Sequence, residues 1–582
     1  MRSLLAHRYW PLATVLLGML CMLFSVDTGL SADDWLLQYA INGGTPLPWS
    51  PLGSAGLPSP SDSAQVLEAR NLGLLPWTAD ANFRFAFLRP LSLATHLVDF
   101  RLWPSHPWLM HLHSVAWFGL FLAGAAALVR RVEGAGWAAG LALLILALDD
   151  THGPAVGWIA NRNLVMAAAF GAWSLWFADR ERDGGSALWS PLLLLLALTS
   201  NEGALGWWPL FLGHAVFVDT SDGRWRRLGV LTALCVGWVG IWAGLGFGVH
   251  GSGVYGDLSA DPVGALVQLL TNAPLLLLSL LAGVWAEIFS LGGFRFFAFG
   301  VAAGVVCALI AVVVGARLAR QDRRVAMWLL GLFGAVLPVS MSFPSDRLLL
   351  IASLPAAVLL AKLVEHLRTD RRAYKLAAVV AAALLVRHVG LNLLFAPLRA
   401  RSMEAPQDMV ERGTASLDLD RAEGDVVVLV NPPSDAMAAY AVTLRAARFQ
   451  SLPQNIVSLY SGIGAVEVER VDADTLVLRP EEPWMAVASE RLSRDLDVHP
   501  FSAGDAVNVP GLTLTVEATT DDGRPARVRA DFDAPLDDAR YHWFRYDVID
   551  FTPWSVPEPG QSELLPPTDA AAAYFGVEDE RS

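Results

Sequence analysis

Lysine is almost missing from this chain: Lys362 and Lys375 are the two among 42 basic residues, and the rest are arginine. Such usage, with abundant Ala and Gly, fits a GC-rich bacterial genome. Cysteine is scarce too. Cys21, Cys235 and Cys307 all lie within apolar runs, which excludes a disulfide framework and offers no metal-ligand spacing. Charged residues make up only 17% of the chain, and their formal sum of −14 speaks against a nucleic-acid partner. No Walker loop, dinucleotide fingerprint, zinc motif or internal repeat occurs. What is present is apolar: 54% of 582 residues are hydrophobic, unusually many for a soluble protein.

That excess is organised. Apolar runs near 11–30, 109–129, 135–148, 163–178, 187–199, 203–218, 228–247, 296–316, 326–341, 348–363 and 376–396 approach the ~20 helical residues that a bilayer core of ~30 Å requires. Arginine clusters at 130–131, 180–182, 224–227, 317–324 and 368–372 fall in alternate loops, which predicts that those loops and the N-terminus are cytoplasmic. The alternative, a cleaved signal peptide ending near Ser31-Ala32, lacks a good small-residue site at Leu30. Segment 261–293 is apolar enough to span, yet one pass there would put Arg317–Arg324 outside; it either does not cross or forms a two-pass hairpin broken near Thr271–Pro274. The expected fold is a polytopic α-helical membrane protein of about eleven spans, thirteen with the hairpin, in the bacterial inner membrane. The N-terminus is cytoplasmic.

Between the first two runs, residues 31–108 form a long external loop. TPLPWSPLGSAGLPSPSDS reads as irregular, while SAQVLEARNLGLL and PLSLATHLVDFRLW read as short helices lying along the membrane surface. The predicted transmembrane domain is 1–398 and a linker covers 399–423. Residues 424–582 alternate β-branched residues between Asn-Pro-Pro, Asp-Asp-Gly and Pro-Gly turns, which predicts a β-rich extracytoplasmic domain. Its LDLD, ADFDAPLDD and VEDERS stretches read as solvated surface, and Asp472, Asp474, Asp521 and Asp522 as turn residues. The aromatics of HWFRYDVIDFTPW read as a sandwich core, with sugar stacking as the alternative.

Ionisable residues gather at the external ends. The first loop carries Asp33, Asp34, Arg84, Arg89, His96, Asp99, Arg101, His106, His111 and His113; later loops add Asp149, Asp150, His152, Asn161, Arg162, Asn201, Glu202, Asp346 and Arg347. Carboxylates at a membrane face can act as general bases or hold a divalent cation, and neighbouring arginines suit bidentate phosphate binding. Asp33-Asp34 taken alone is as well explained as a helix ending in water, and Asp346-Arg347 as an ion pair. The histidine spacings match no zinc signature, and the 22 tryptophans fit an aromatic belt.

Four stretches, in order, carry a resemblance. FLRPLSLATHLVDFRLWPSHPWLMHLHSVAWF (87–118), HGPAVGWIANRNLVMAAAF, NEGALGWWPLFL and SDRLLLIASLPAAVLLA resemble motifs of C-type superfamily membrane glycosyltransferases, especially the branch similar to protein O-mannosyltransferases. The resemblance covers roughly 10–395. Asn201 stands where a Lys is usual, and Ser345-Asp346-Arg347-Leu348 where Glu-Arg-Tyr is usual.

The resemblance implies transfer of a sugar from a polyprenyl-phosphate-type carrier to a protein, lipid or polysaccharide acceptor on the external face. It implies that Asp34, with Asp33 as the near-equal choice, is the catalytic base or a metal ligand. Arg89, Arg162 and Arg347 become candidates for the lipid phosphate, and Glu202 for a second acidic role; Asp99, His152 and Asp346 complete the candidate set. If a divalent ion takes part, Asp33, Asp34 and Glu202 are its expected ligands, and an oxygen set suits Mg or Mn. Two other classes compete. A transporter would carry ionisable residues at mid-membrane and internal repeats, whereas the mid-helix positions here read as almost purely apolar. A non-catalytic scaffold presenting the C-terminal domain would tolerate loss of Asp33 and Asp34.

Overall fold

The structure is a computed structural model and describes residues 2–42, 63–290, 294–369, 374–417, 424–448, 450 and 455–575. Most of the irregular stretch expected at 45–63, most of LDLD and all of VEDERS lie outside these residues. The chain divides into two units. The first comprises Met1–Leu30, Phe87–Phe247 and Val263–Met403; the second comprises Ser31–Ala86, Gly248–Pro262 and Glu404–Ser582.

The first unit is helical, and each of the eleven apolar runs carries a helix. Prolines set several starts: Pro11, Pro90, Pro107 and Pro209 stand in the first turn, where their missing N–H costs nothing. After Glu133 the chain leaves the Pro107–Glu133 helix through Gly134 at φ 80°, a left-handed conformation that glycine adopts without Cβ strain. Among the described residues, six helical segments are long and apolar enough to cross a membrane: Pro107–Glu133, Arg224–Gly244, Pro262–Ala282, Arg295–Ala319, Leu350–Arg368 and Lys375–Ser416. Trp10–Ser25, Trp137–Leu148, Trp189–Leu198 and Arg324–Val339 are shorter and apolar. Leucine, alanine and valine side chains from most of these helices form one buried core.

Two details depart from the alternatives weighed for this unit. Pro262–Ala282 is a single helix that runs through Pro274, so the two-pass alternative with a turn at 271–274 is not adopted. An internal proline loses one backbone hydrogen bond, and its cost is offset where neighbouring helices pack against the site. The segment after Tyr374 is not purely apolar inside: it passes through a π-helical stretch, Val386–Leu391, that carries Arg387 and His388.

The second unit holds the strands. β1 (Arg84–Ala86) pairs antiparallel with β2 (Gly248–His250). β3 (Val426–Leu429) lies between β4 (Asn455–Ser458) and β10 (Tyr541–Asp547), parallel to both, and β11 (Asp550–Pro553) closes this sheet. Six strands form the other sheet in the order β12-β5-β6-β9-β8-β7, all antiparallel: β5 (Val466–Arg470), β6 (Thr475–Pro480), β7 (Ala506–Val509), β8 (Leu512–Thr519), β9 (Pro525–Phe532) and β12 (Ser562–Leu565). The Asp-Asp-Gly turn joins β8 to β9, as its composition predicts. Phe532, Tyr541, Trp543 and Trp554 are buried together in the shared core, so the aromatics of 541–554 are core and not a sugar platform.

The unit is not simply β-rich. Helix Asp435–Ala447 connects the parallel strands β3 and β4, the crossover that a parallel pair requires. The expected linker is largely helical, since Asn392–Ala400 runs into it and Glu404–Ser416 follows. Part of the first loop belongs here as well. Trp77 sits in the core against Trp484 and Phe501, its indole donates to the Leu459 carbonyl at 3.3 Å, and the Asp80 N–H donates to the Ser493 carbonyl at 2.8 Å.

Candidate active site

In the second unit, Asp33 and Asp34 open helix Asp33–Asn42, and the two carboxylates have different surroundings. The preceding Ala32 is left-handed at φ 51°, a strained conformation for a residue with a Cβ. This turn lets Asp34 reach back: its Oδ2 accepts the Ser31 N–H at 3.0 Å, half of a capping box, and the side chain is buried. Asp33 is half-buried and accepts a hydrogen bond at 3.1 Å from the Tyr440 hydroxyl on helix 435–447. Asp34 is engaged in starting the helix, while Asp33 keeps part of its surface exposed.

The first unit contains the remaining candidates, and it sorts them by pairing. Arg162 and Asp99 have no exposed side-chain surface and form an ion pair. Arg162 also donates through Nε to Ser114 Oγ at 2.9 Å and through Nη2 to the Met110 carbonyl at 2.8 Å. His113 joins them. Its Nε2 accepts the Trp117 indole N–H at 3.1 Å, which leaves Nδ1 as the protonated nitrogen facing Asp99 Oδ1 at 2.8 Å. The group ties helices Pro90–Leu102, Pro107–Glu133 and Arg162–Glu181 together, and Arg162 offers no open guanidinium to a ligand.

Arg89 and Glu202 also pair with one another, at 2.7 Å, and the second Glu202 oxygen accepts the Leu88 N–H at 3.0 Å. Asn201 caps the turn that carries Glu202, its side-chain oxygen accepting the Gly203 N–H at 2.7 Å while its amide donates to Asn163. A lysine there would lose this cap. His152 is fully buried, 2.8 Å from Ser353 Oγ and edge-on to Phe118 and Phe121, the setting of a core histidine.

Asp346 and Arg347 are not a pair. Asp346 is fully buried and turns inward, where Oδ1 accepts from Ser279 Oγ at 2.6 Å and from the Ala286 N–H at 3.0 Å, and Oδ2 lies 3.1 Å from Arg399. Glu287 accepts from Ser345 Oγ at 2.7 Å and from the Asp346 N–H at 2.8 Å. Burial, with Glu287 close by, pushes the Asp346 carboxyl above the usual carboxylate range, against the pull of Arg399. Arg347 turns the other way, half-buried, with its guanidinium 4.8 Å from the centre of the Trp158 ring. Among the described residues it makes no hydrogen bond or ion pair, so its donors are open to an anion.

Sequence reasoning missed the groups that hold this turn. Arg399 lies over Trp285 at 4.6 Å, and the Trp285 indole donates to Asp150 at 2.6 Å; Asp150 also faces Arg387 at 3.3 Å. Gly153 and Gly157, one turn apart on helix His152–Gly157, let the backbone of Arg399 and Ala400 approach so closely that a Cβ at either position would collide with it. A signal was available: Glu287 is the one charged side chain between Asp261 and Arg295, and Arg387 interrupts an apolar run, both expensive placements in a membrane segment.

Among the described residues no group of three or more His, Cys, Asp or Glu side chains is arranged to hold a metal ion. Of the expected set, both Glu202 oxygens accept hydrogen bonds, from Arg89 and Leu88, and Asp34 Oδ2 accepts from Ser31.

No family model matches the chain, and no curated protein matches its sequence. Solved structures do. Crystal structures of the Archaeoglobus fulgidus oligosaccharyltransferase, one tethered with an acceptor peptide containing the NVT sequon and one in the apo form, match 78% of this chain at 10% identity and a TM-score of 0.42. The archaeal oligosaccharyltransferase AglB from the same organism, in complex with an inhibitory peptide and a dolichol-phosphate, matches 77% at 10% identity and 0.40. The chain covers 64–65% of those proteins' lengths.

Proposed function

We propose that this chain is an integral-membrane glycosyltransferase that moves a sugar from a polyprenyl-phosphate-type lipid carrier to an acceptor on the extracytoplasmic face. The observation that carries the reading is Arg347, a half-buried guanidinium with open donors beside neighbours that are all paired. Such a group suits a phosphate, which accepts a forked pair of N–H bonds. Asp33 serves as the general base. The acceptor oxygen attacks the anomeric carbon and passes its proton to the Asp33 carboxylate, while the bond from that carbon to the phosphate oxygen breaks and the lipid phosphate leaves with the electron pair. Arg347 stabilises the charge that grows on the leaving phosphate. Arg89 is held in reserve by Glu202, from which a lipid phosphate could draw it.

The arginine-rich helix ends face the cytoplasm, and the host membrane is the bacterial inner membrane. The carrier is a lipid phosphate or pyrophosphate, and the acceptor is a protein, lipid or polysaccharide. No metal step is assigned.

The test is turnover of a polyprenyl-phosphate sugar in membranes carrying Arg347→Ala or Asp33→Asn. Each substitution is expected to lower the rate by about 100-fold or more with the protein still folded. Full activity in both sinks the roles given to Arg347 and Asp33, and no turnover by the parent protein sinks the transferase reading in favour of a scaffold.

A further inference from the structure

We infer that helix Pro262–Ala282, although long and apolar enough to span, does not cross the bilayer but lies in its outer leaflet with one face in the acyl chains. The inference rests on the first unit being membrane-spanning and is independent of the sugar-transfer reading.

Its hydrogen bonds locate it. Asn272 donates to the carbonyls of Ser340 at 3.1 Å and Ser342 at 3.0 Å, and Ser279 donates to Asp346. Past the helix, the Ala286 N–H donates to Asp346, Glu287 accepts from Ser345, and Ser290 Oγ donates to the Pro344 carbonyl at 2.9 Å. From 272 to 290, then, the chain is fastened repeatedly to the short connection 340–346. That connection follows Arg324–Val339 at the end remote from Arg323 and Arg324.

A crossing helix would rise ~1.5 Å per residue and carry its far end to the other face, ~30 Å away. The fastened part of the helix, 272–282, rises only ~15 Å, within the reach of the seven-residue connection, so these bonds place the second half of the helix beside 340–346. The arginine pattern decides the rest: an uninterrupted helix that crossed once would put Arg317–Arg324 on the wrong side, so this one starts and finishes on one side.

The exposed side is built for hydrocarbon. Val263, Leu266, Val267 and Leu270 recur at i, i+3, i+4 and i+7, and each is more than half exposed. No charged residue interrupts the stripe. The helices on either side in sequence also expose large apolar side chains, Val236 and Ile241 on one and Phe299 and Val306 on the other. Acyl chains are the occupant that matches a continuous apolar surface without a charged rim.

Two measurements test this on the full-length protein with its native cysteines replaced. Single cysteines at Leu258 before the helix, at Ala282 and Ile288 after it, and at Arg226 as the opposite-side control are treated with a membrane-impermeant maleimide on intact cells. Leu258→Cys should react together with Ala282→Cys or Ile288→Cys, and Arg226→Cys only after permeabilisation. Any pattern in which Leu258→Cys reacts and neither downstream site does overturns the inference. Reaction of Arg226→Cys alone from outside would reverse the assigned orientation and still support a helix that does not cross. In vesicles of phosphatidylethanolamine and phosphatidylglycerol, a nitroxide at Val267 should be relaxed more by oxygen than by an aqueous nickel complex. Protection from both reagents would mark a protein partner and overturn the lipid assignment.

Discussion

The two units use the same charged side chains in opposite ways. In the helical unit Asp99 and Arg162 are paired with no exposed surface, and Asp346 is sealed against Arg399. In the second unit Arg529 meets Asp531 with both side chains 40% exposed, and Arg527–Glu517 and Arg479–Glu469 are alike. Water screens the second kind, leaving each worth roughly 0–1 kcal/mol. The first kind stands in a low dielectric, where an ion is tolerated only with its partner present. Pairing is obligatory in one unit and optional in the other, which is why an open cation such as Arg347 is informative in the first.

Substitutions can break this contrast, from large effects to small. Arg162→Met leaves Asp99 buried with His113 as its remaining partner and no paired charge, and thermal unfolding of the detergent-solubilised protein should show a loss of about 3–5 kcal/mol; a change under ~1 kcal/mol would mean that water reaches the pair. Gly157→Ala drives a methyl into the Ala400 carbonyl and should cost about 1–3 kcal/mol by the same assay. If the variant is as stable as the parent, the close approach of that helix to Arg399–Ala400 is wrong. In the second unit, Arg529→Ala should fall within ~1 kcal/mol of the parent.

A titration sharpens the comparison from the second unit. Burial, with Asp435 beside it, pushes the Glu490 carboxyl from 4.5 up to about 8. The folded state keeps this proton where the unfolded chain has released it. The group's contribution is complete below about pH 4.5 and is lost as the pH rises to about 8. Glu490→Gln should therefore flatten the fall in Tm across that window, and an unchanged slope would show that Glu490 is ionised in the fold. For catalysis the decisive contrast lies within one dipeptide: Asp33→Ala should abolish turnover, while Asp34→Ala should mainly weaken the helix start by about 1 kcal/mol.

Much of the architecture was legible because it follows from local pattern. The apolar runs became helices, and the alternating segments around Asp-Asp-Gly and 466–480 became hairpins. Failures came where tertiary partners decide. Charge counting allowed a hairpin at 271–274, but Asn272 finds carbonyl acceptors at Ser340 and Ser342 and the helix continues through Pro274. The stretch after Phe395 lacks a long apolar run and read as a linker, yet helix 404–416 packs in the second unit. Of the candidate site, the residue types were visible, but not their pairings. Arg89, Arg162 and Arg347 look equivalent in the sequence; Glu202 takes the first, Asp99 the second, and none of the described residues takes the third.

By itself, then, the sequence determined periodicity, apolar length and the sign of the loops, because each depends on residues within one turn, one strand or one loop. Only the tertiary structure decided which charges are satisfied, that Asp34 is buried against Ser31 while Asp33 meets Tyr440, and that a 21-residue apolar helix is fastened to a single connection. Those outcomes rest on partners distant in sequence, such as Tyr440 for Asp33 and Arg399 for Asp346, whose approach is set by packing and by glycines that let two backbones meet.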